Sequence, residues 1–219
     1  MELPIFIYAI ALSFFVSVWM LWKVKSLDLY LKLFPPFLLA TLLAELLGPY
    51  LTSIGEHNTP FYNFFSTFEF CFYLFAISLM ISEKKMKIVI RVIIPLYAIA
   101  ACINILFIQK MERFHTVTYG FGCLLVVGFC IYYFFELFRL PKSVKLINNP
   151  AFWICSGLLF FYCCSFPLYG LINFWINIKL IIRNFENIVT ILNIFLYSLF
   201  TIAFLCVKTR NYTSSSSSE

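Results

Sequence analysis

Charged side chains are scarce in this sequence, where they make up 12% of 219 residues. Soluble domains carry about 25% charged residues and about 45–50% apolar residues. Here 63% of the residues are hydrophobic, which excludes an ordinary soluble domain. The net charge of +6 does not indicate a nucleic-acid surface, because the basic residues lie in short segments between apolar runs. The composition therefore indicates a polytopic membrane protein.

Catalytic and cofactor motifs are also missing from the sequence. It has two histidines, His57 and His115, and no HExxH, CxxC, GxSxG, P-loop or GxGxxG pattern. A nucleophilic Ser or Cys would have no histidine inside the membrane to act as its base. The sequence thus favours a protein that is not an enzyme, with no cofactor and no metal. A zinc site made by both histidines with Glu56 or Glu112 is the alternative.

Seven apolar runs are long enough for membrane helices, which need about 20 mostly apolar residues each. They cover residues 4–22, 29–54, 61–81, 88–107, 116–138, 151–172 and 188–207. We therefore expect one all-α domain, a polytopic transmembrane bundle of seven helices, over 1–207, followed by a disordered cytoplasmic tail at 208–219. Segment 173–187 is either a short interfacial helix or an early start to the seventh span.

Lys and Arg are divided unevenly between the two sides of the predicted membrane. Twelve of the sixteen lie in or beside the connections after spans 1, 3 and 5 or beyond span 7, and four lie on the other side. Short loops rich in Lys and Arg remain in the cytoplasm. The predicted orientation therefore places the N-terminus outside and the C-terminus in the cytoplasm.

Glu69 is an ionisable residue in the middle of the third run, within the stretch YNFFSTFEFCFY. At helical spacing Tyr62, Ser66, Glu69 and Tyr73 share one face of the helix. A charge at that depth costs about 2.5–3.5 kcal/mol unless it faces a protein interior, a cavity or a partner. Glu45 is predicted at a similar depth on the preceding, antiparallel helix. The two acids predict a buried polar pocket around Glu69.

Two other spans carry polar residues that match this stripe. In the seventh span Glu186, Thr190, Asn193 and Tyr197 share one face. The sixth span has a polar stripe made of Tyr162, Ser165 and Tyr169. The candidate site for a ligand or a proton therefore consists of Glu45, Ser66, Glu69, Tyr73, Tyr162, Thr190, Asn193 and Tyr197. The structural alternative is that these groups hold the helices together by hydrogen bonds, each worth about 0.6 kcal/mol in membranes.

The third and seventh spans also resemble each other in sequence. Residues 63–73 follow N-x2-S-x2-E-x3-Y, and residues 187–197 follow N-x2-T-x2-N-x3-Y. Both spans have the same predicted direction, which is compatible with a parallel 3 + 1 + 3 repeat in which span 4 is a linker. Parallel repeats occur in transporters. Chance similarity is the alternative explanation.

Three stretches carry a resemblance to a known group: YNFFSTFEFCFY, NPAFWICSGLLFFYCCSFPLY (149–169) and NIFLYSLFTIAF (193–204). They resemble a loose group of small seven-helix bacterial membrane proteins found in Bacteroidetes. The matching positions are Tyr62, Asn63, Glu69, Phe152, Trp153, Gly157, Tyr162 and Asn193. The resemblance implies a bacterial inner membrane but no activity. Opsin-like and PQ-loop sugar-efflux proteins share the helix count, yet the chain has no lysine within the seventh run and no Pro-Gln dipeptide.

Together these patterns predict an integral membrane protein that acts as a small-molecule or proton-linked carrier, or as a sensor. A sensor would need a separate signalling partner protein, since the sequence contains no soluble output domain. A membrane-embedded enzyme acting on lipid is one alternative. A structural or partner-binding protein, whose acids only join helices, is the other. The sequence does not identify the substrate or the oligomeric state.

Overall fold

The fold is a helical bundle, with no strand in the described part of the chain. The computed structural model describes residues 4–24, 26–139, 146–170 and 179–215. Its helices are α1 (Phe6–Lys23), α2 (Leu29–Ser53), α3 (Thr59–Met80), α4 (Lys84–Ile103), α5 (Thr116–Arg139), α6 (Pro150–Gly170) and α7 (Lys179–Ser215). All seven are long and apolar enough to cross a membrane. The predicted all-α fold of seven membrane-spanning helices is therefore confirmed.

The observed helix ends differ from the predicted ones mainly in α7. This helix begins at Lys179, which agrees with an early start to the seventh span; residues 171–178 lie outside the described residues. It continues to Ser215 and so covers most of the stretch for which we expected a disordered tail. No Pro or Gly occurs between 179 and 215, so the sequence contains no helix breaker there.

Successive helices run in opposite directions because short connections join them. One end of the bundle, here called the N-terminal end, contains the start of α1 and the α2–α3 and α4–α5 connections. The opposite C-terminal end contains the α1–α2 and α3–α4 connections. Which end faces the cytoplasm stays a prediction based on the distribution of Lys and Arg.

Six helices form a closed ring, and α4 lies outside it. The order around the ring is α1, α2, α3, α5, α6 and α7, with α7 packed against α1, while α4 packs mainly on α3. Exchanging α1–α3 with α5–α7 leaves this set of neighbours unchanged. The arrangement is thus compatible with the 3 + 1 + 3 repeat, which itself stays a prediction.

A layer of aromatic side chains fills the bundle on the C-terminal side of Glu69. The rings of Phe37 and Phe72 stack with centroids 3.8 Å apart, and Phe34 packs edge-on against Phe200 at 5.2 Å. Aromatic side chains bury about 150–250 Å² each and dominate the packing energy of such contacts. This layer closes the centre of the bundle toward the C-terminal end.

The start of α4 is capped by a residue of α5. The spacing of Glu136 and Arg139 predicts an ion pair on the helix surface. Instead, the Glu136 carboxylate accepts hydrogen bonds from the backbone N–H groups of Ser82, at 2.8 and 3.0 Å, and Glu83, at 2.9 Å. A carboxylate here satisfies free donors and complements the positive end of the helix dipole. Glu136 thereby joins α5 to the α3–α4 connection.

Candidate functional site

A cavity of about 550 Å³ lies between the helices in the N-terminal half of the bundle. All six helices of the ring contribute to its wall, as does Phe114 in the connection before α5. Its volume is within the range of about 300–1,000 Å³ that is typical of small-molecule sites. No described residue of α4 lines it, in keeping with the position of α4 outside the ring.

Two glutamates on neighbouring helices face this cavity. Glu45 of α2 and Glu69 of α3 both line its wall, both are half-buried, and they are close enough to interact electrostatically. Glu69 follows Thr59, the first residue of α3, by ten positions, which places it about 15 Å along the helix. The two acids found in separate runs of the sequence therefore share one cavity near the middle of the span.

Tyr62 lies on the Glu45 side of the cavity, where α2 and α3 approach each other. Its side chain interacts with the Glu45 carboxyl. Its hydroxyl also packs against the backbone of Gly48, so that a Cβ added there would collide with it. Gly48, nearly one turn after Glu45, thus leaves the space that the Tyr62 hydroxyl occupies.

Tyr73 and Tyr162 flank Glu69 inside the protein. Both side chains are fully buried, and within the described residues neither hydroxyl has a hydrogen-bond partner other than the Glu69 carboxyl. Packing holds the rings in place: the centroids of Tyr73 and Tyr162 are 5.9 Å apart, and Phe37 lies 5.1 Å from Tyr73. Two hydroxyl donors are therefore kept beside the Glu69 carboxyl without another acceptor.

The structure brings most of the predicted site residues to the cavity, but not all of them. Those on the wall are Glu45, Ser66, Glu69, Asn193 and Tyr197. Tyr73 and Tyr162 are buried next to Glu69 instead of lining the wall. Thr190 is half-buried on α7 and does not belong to the wall. Of the predicted stripe on α7, Glu186, Asn193 and Tyr197 therefore reach the cavity and Thr190 does not.

Aromatic side chains form a wall of which the sequence patterns singled out Tyr169 alone, as part of the polar stripe of the sixth span. Tyr169 of α6 lies at its centre, with ring centroids of Tyr119 at 4.7 Å, Phe185 at 5.3 Å and Phe114 at 5.4 Å. The sequence contains 28 Phe and 13 Tyr, so an aromatic residue at a helical position gives little signal of a site. We call these four residues the aromatic cluster.

His115 is completely buried, although the sequence places it in an outer loop. One ring nitrogen, Nε2, lies 2.7 Å from Ser66 Oγ, and the other, Nδ1, lies 2.7 Å from Thr118 Oγ1. The backbone N–H of His115 donates to Asn63 Oδ1 at 3.2 Å, and Asn63 Nδ2 donates to the carbonyl of Arg113 at 2.9 Å. These bonds fix the α4–α5 connection on α3, beside the cavity residue Ser66.

The hydrogen bonds of His115 suit a neutral imidazole. Ser66 donates to the Tyr62 carbonyl at 2.7 Å and can therefore accept from Nε2–H. Thr118 Oγ1 accepts from the side-chain amide of Asn104 at 3.0 Å, which leaves its own proton for Nδ1. Burial lowers the pKa of His115 to about 4, because the charged form loses its hydration. The histidine is therefore neutral at physiological pH.

The zinc alternative has no ligand set in the structure. Across the described ranges, no three His, Cys, Asp or Glu side chains come together as a metal site requires. His57 is exposed in the α2–α3 connection, whereas both ring nitrogens of His115 are already hydrogen-bonded. The two histidines do not form a common site.

No protein-family model, no curated protein and no solved structure matches this chain. The resemblance to small seven-helix bacterial membrane proteins therefore stays a prediction. Function has to be argued from the cavity itself.

Proposed function

We propose that this integral membrane protein binds a small molecule in the cavity and carries it across the membrane. One observation supports this above all: Glu45 and Glu69, placed deep within their spans, face a shared cavity. Ionisable side chains at that depth are costly, and they mark pathways for substrates, ions or protons. In a proton-linked carrier the same two carboxyls would hold the exchanged proton.

A purely structural role for the two acids fits the site less well. Groups that only join helices would be hydrogen-bonded to the neighbouring helices. Glu45 does interact with Tyr62, and Glu69 with Tyr73 and Tyr162, but both acids also border open space. A role limited to joining helices does not explain why both acids border a cavity.

The position of the cavity supports a carrier that is open toward one end. Its wall includes Asn58 and Thr59, which lie at the N-terminal end of the bundle. Toward the other end, the packed aromatic layer around Phe34 and Phe37 closes the centre. Carriers expose a binding site near the bilayer midplane to one side at a time, and the ring is compatible with the parallel repeat of such proteins.

The distribution of basic residues and the resemblance complete the proposal. With the Lys-rich connections in the cytoplasm, the cavity opens to the outside. The resemblance to bacterial proteins suggests the inner membrane. A sensor that passes its signal to a separate partner would bind at the same cavity but would not expose it to both sides.

Cysteine labelling in reconstituted vesicles tests alternating access without knowledge of the ligand. Asn193→Cys places a thiol on the cavity wall. The lipid-facing control is Ile191→Cys, because the Ile191 side chain is 65% exposed on the outer surface of α7. Glu112→Cys and Lys85→Cys report the two exposed ends. The reagent is a membrane-impermeant trimethylammonium methanethiosulfonate, added to either side of the vesicles. Labelling of the parent chain, which has eight cysteines, is measured as the background.

We expect Asn193→Cys to react from both sides and Ile191→Cys from neither. Glu112→Cys should react from the outside alone and Lys85→Cys from the cytoplasmic side alone, and the reverse pattern would overturn the orientation. Labelling of Asn193→Cys from one side alone would identify a receptor in place of a carrier. An unreactive Asn193→Cys would remove the cavity as the basis of the proposal.

A further inference from the structure

We infer that the ligand of the cavity is an organic cation, a protonated amine or a quaternary ammonium compound with an apolar part. This inference rests on the proposed function, because it names the class of molecule that the same cavity would take. It follows from the acidic residues on the wall, from the aromatic cluster and from the tyrosine hydroxyls that hold Glu69 from inside the protein.

Every charged residue that the structure describes on the wall is acidic. Glu45, Glu69 and Glu186 line the cavity, and no Lys, Arg or His is among the described residues that form its wall. A cleft of low polarity lined by one sign of charge concentrates ligands of the opposite sign. An anionic ligand would find no basic partner on the described wall, whereas a cation could pair with any of its acids.

Aromatic rings stand close to these carboxylates. Tyr169, at the centre of the aromatic cluster, is near enough to both Glu45 and Glu69 to interact with them electrostatically, and so is Tyr197 of α7. Rings of this kind attract a cation to their faces, and aromatic cages recognise quaternary ammonium groups. Carboxylates combined with several rings therefore match an ammonium group attached to an apolar body.

The buried hydroxyls next to Glu69 point to the same ligand independently. Tyr73 and Tyr162 have fully buried side chains, and their hydroxyls flank the Glu69 carboxyl without another hydrogen-bond partner within the described residues. They can donate to its carboxylate from inside the protein while the carboxylate faces a cation in the cavity.

A bare metal ion fits this cavity less well than an organic cation. Calcium takes about six to eight oxygen ligands, and magnesium needs a near-ideal octahedron. No described group of three His, Cys, Asp or Glu side chains provides such a set. A volume of about 550 Å³ with many aromatic rings on its wall instead has room for a molecule with an apolar part.

The test compares ligands of matched shape and different charge on the purified full-length protein. Thermal unfolding is recorded with phenethylamine and benzyltrimethylammonium as cations, 2-phenylethanol as the neutral analogue and phenylacetate as the anion. A ligand that binds only the folded state raises the unfolding temperature with concentration. The variants are Glu69→Gln and Glu45→Gln, with Glu56→Gln in the exposed α2–α3 connection as the matched control.

We expect at least one cation to stabilise the parent and the Glu56→Gln control, with 2-phenylethanol and phenylacetate much weaker. Its apparent affinity should fall about tenfold or more in Glu69→Gln and in Glu45→Gln, the loss expected for one charged interaction. Equal or stronger stabilisation by the neutral or anionic compound would overturn the cation inference and leave the small-molecule function standing. So would cation binding that survives both substitutions. No stabilisation by any of the four compounds would count against both proposals.

Discussion

At the scale of single residues, the polar side chains of His115 and Glu69 have different surroundings. His115 is buried and neutral, and its two ring nitrogens are both hydrogen-bonded, to Ser66 and Thr118. Glu69 is half-buried because one side of it borders the cavity. Ser66 connects the two environments, since it also lines the cavity. A fully hydrogen-bonded residue of the fold is thus linked through Ser66 to the cavity that Glu69 borders.

The burial of His115 predicts a pH-dependent part of the stability. Its pKa falls from 6.5 to about 4 on folding, so acid favours the unfolded chain, which binds the proton more readily. The stability that neutral His115 contributes is fully present above about pH 6.5 and is lost as the pH falls toward about 4. The loss amounts to about 3 kcal/mol at most.

Comparison with His115→Gln isolates this contribution from those of the acidic residues. We expect the parent to be more stable than the variant at pH 7.5, with the difference shrinking by up to about 3 kcal/mol by pH 4. Chemical denaturation in detergent at several pH values measures this difference. A difference between the two proteins that does not change with pH would contradict a buried neutral histidine.

At the scale of helices, close packing requires glycine at one position of α5 and not at another. A Cβ added to Gly122 would lie 2.7 Å from the Tyr97 hydroxyl and 2.8 Å from the Phe70 ring. A Cβ added to Gly128, on the same helix, would meet nothing within 4 Å. Gly122 therefore allows α5 to approach α3 and α4, whereas Gly128 has no such neighbour.

Alanine substitutions at Gly122 and Gly128 form a matched pair of variants. Gly122→Ala should lower the free energy of unfolding by about 1–3 kcal/mol, because the overpacked rings of Phe70 and Tyr97 must move. Gly128→Ala should leave stability nearly unchanged or raise it by up to about 1 kcal/mol, since alanine favours a helix over glycine. Thermal unfolding of both variants measures the contrast. Equal effects would show that α5 does not pack as described.

At the scale of the whole molecule, the sequence predicted the bundle because lipid imposes simple rules. Runs of about 20 apolar residues and intramembrane charges follow directly from the cost of burying polar groups in hydrocarbon. These rules identified the seven helices and picked out Glu45 and Glu69 as a pair. The extension of α7 to Ser215 was not expected, because a polar, Ser-rich end is also typical of a disordered tail.

The parts of the site that the sequence did not predict depend on packing between distant segments. The aromatic cluster joins residues of α5, α6, α7 and the α4–α5 connection. In a sequence so rich in Phe, the residues that form such a cluster cannot be recognised by their type. The burial of His115 depends on Asn63 and Ser66 of α3, about fifty residues earlier in the chain. Neither arrangement has a local pattern, whereas the acidic stripe of α3 repeats at helical spacing and was visible.

A high-resolution structure of the protein in a lipid nanodisc, with ordered water visible, tests the central claim most directly. That claim is that Glu45 and Glu69 face one cavity with capacity for a ligand. We predict water or a bound molecule within hydrogen-bonding distance of Glu69, with Glu45, Asn193 and Tyr197 on the same wall. A dry Glu69 whose oxygens are all hydrogen-bonded to neighbouring helices, without space between α2, α3 and α7, would contradict it.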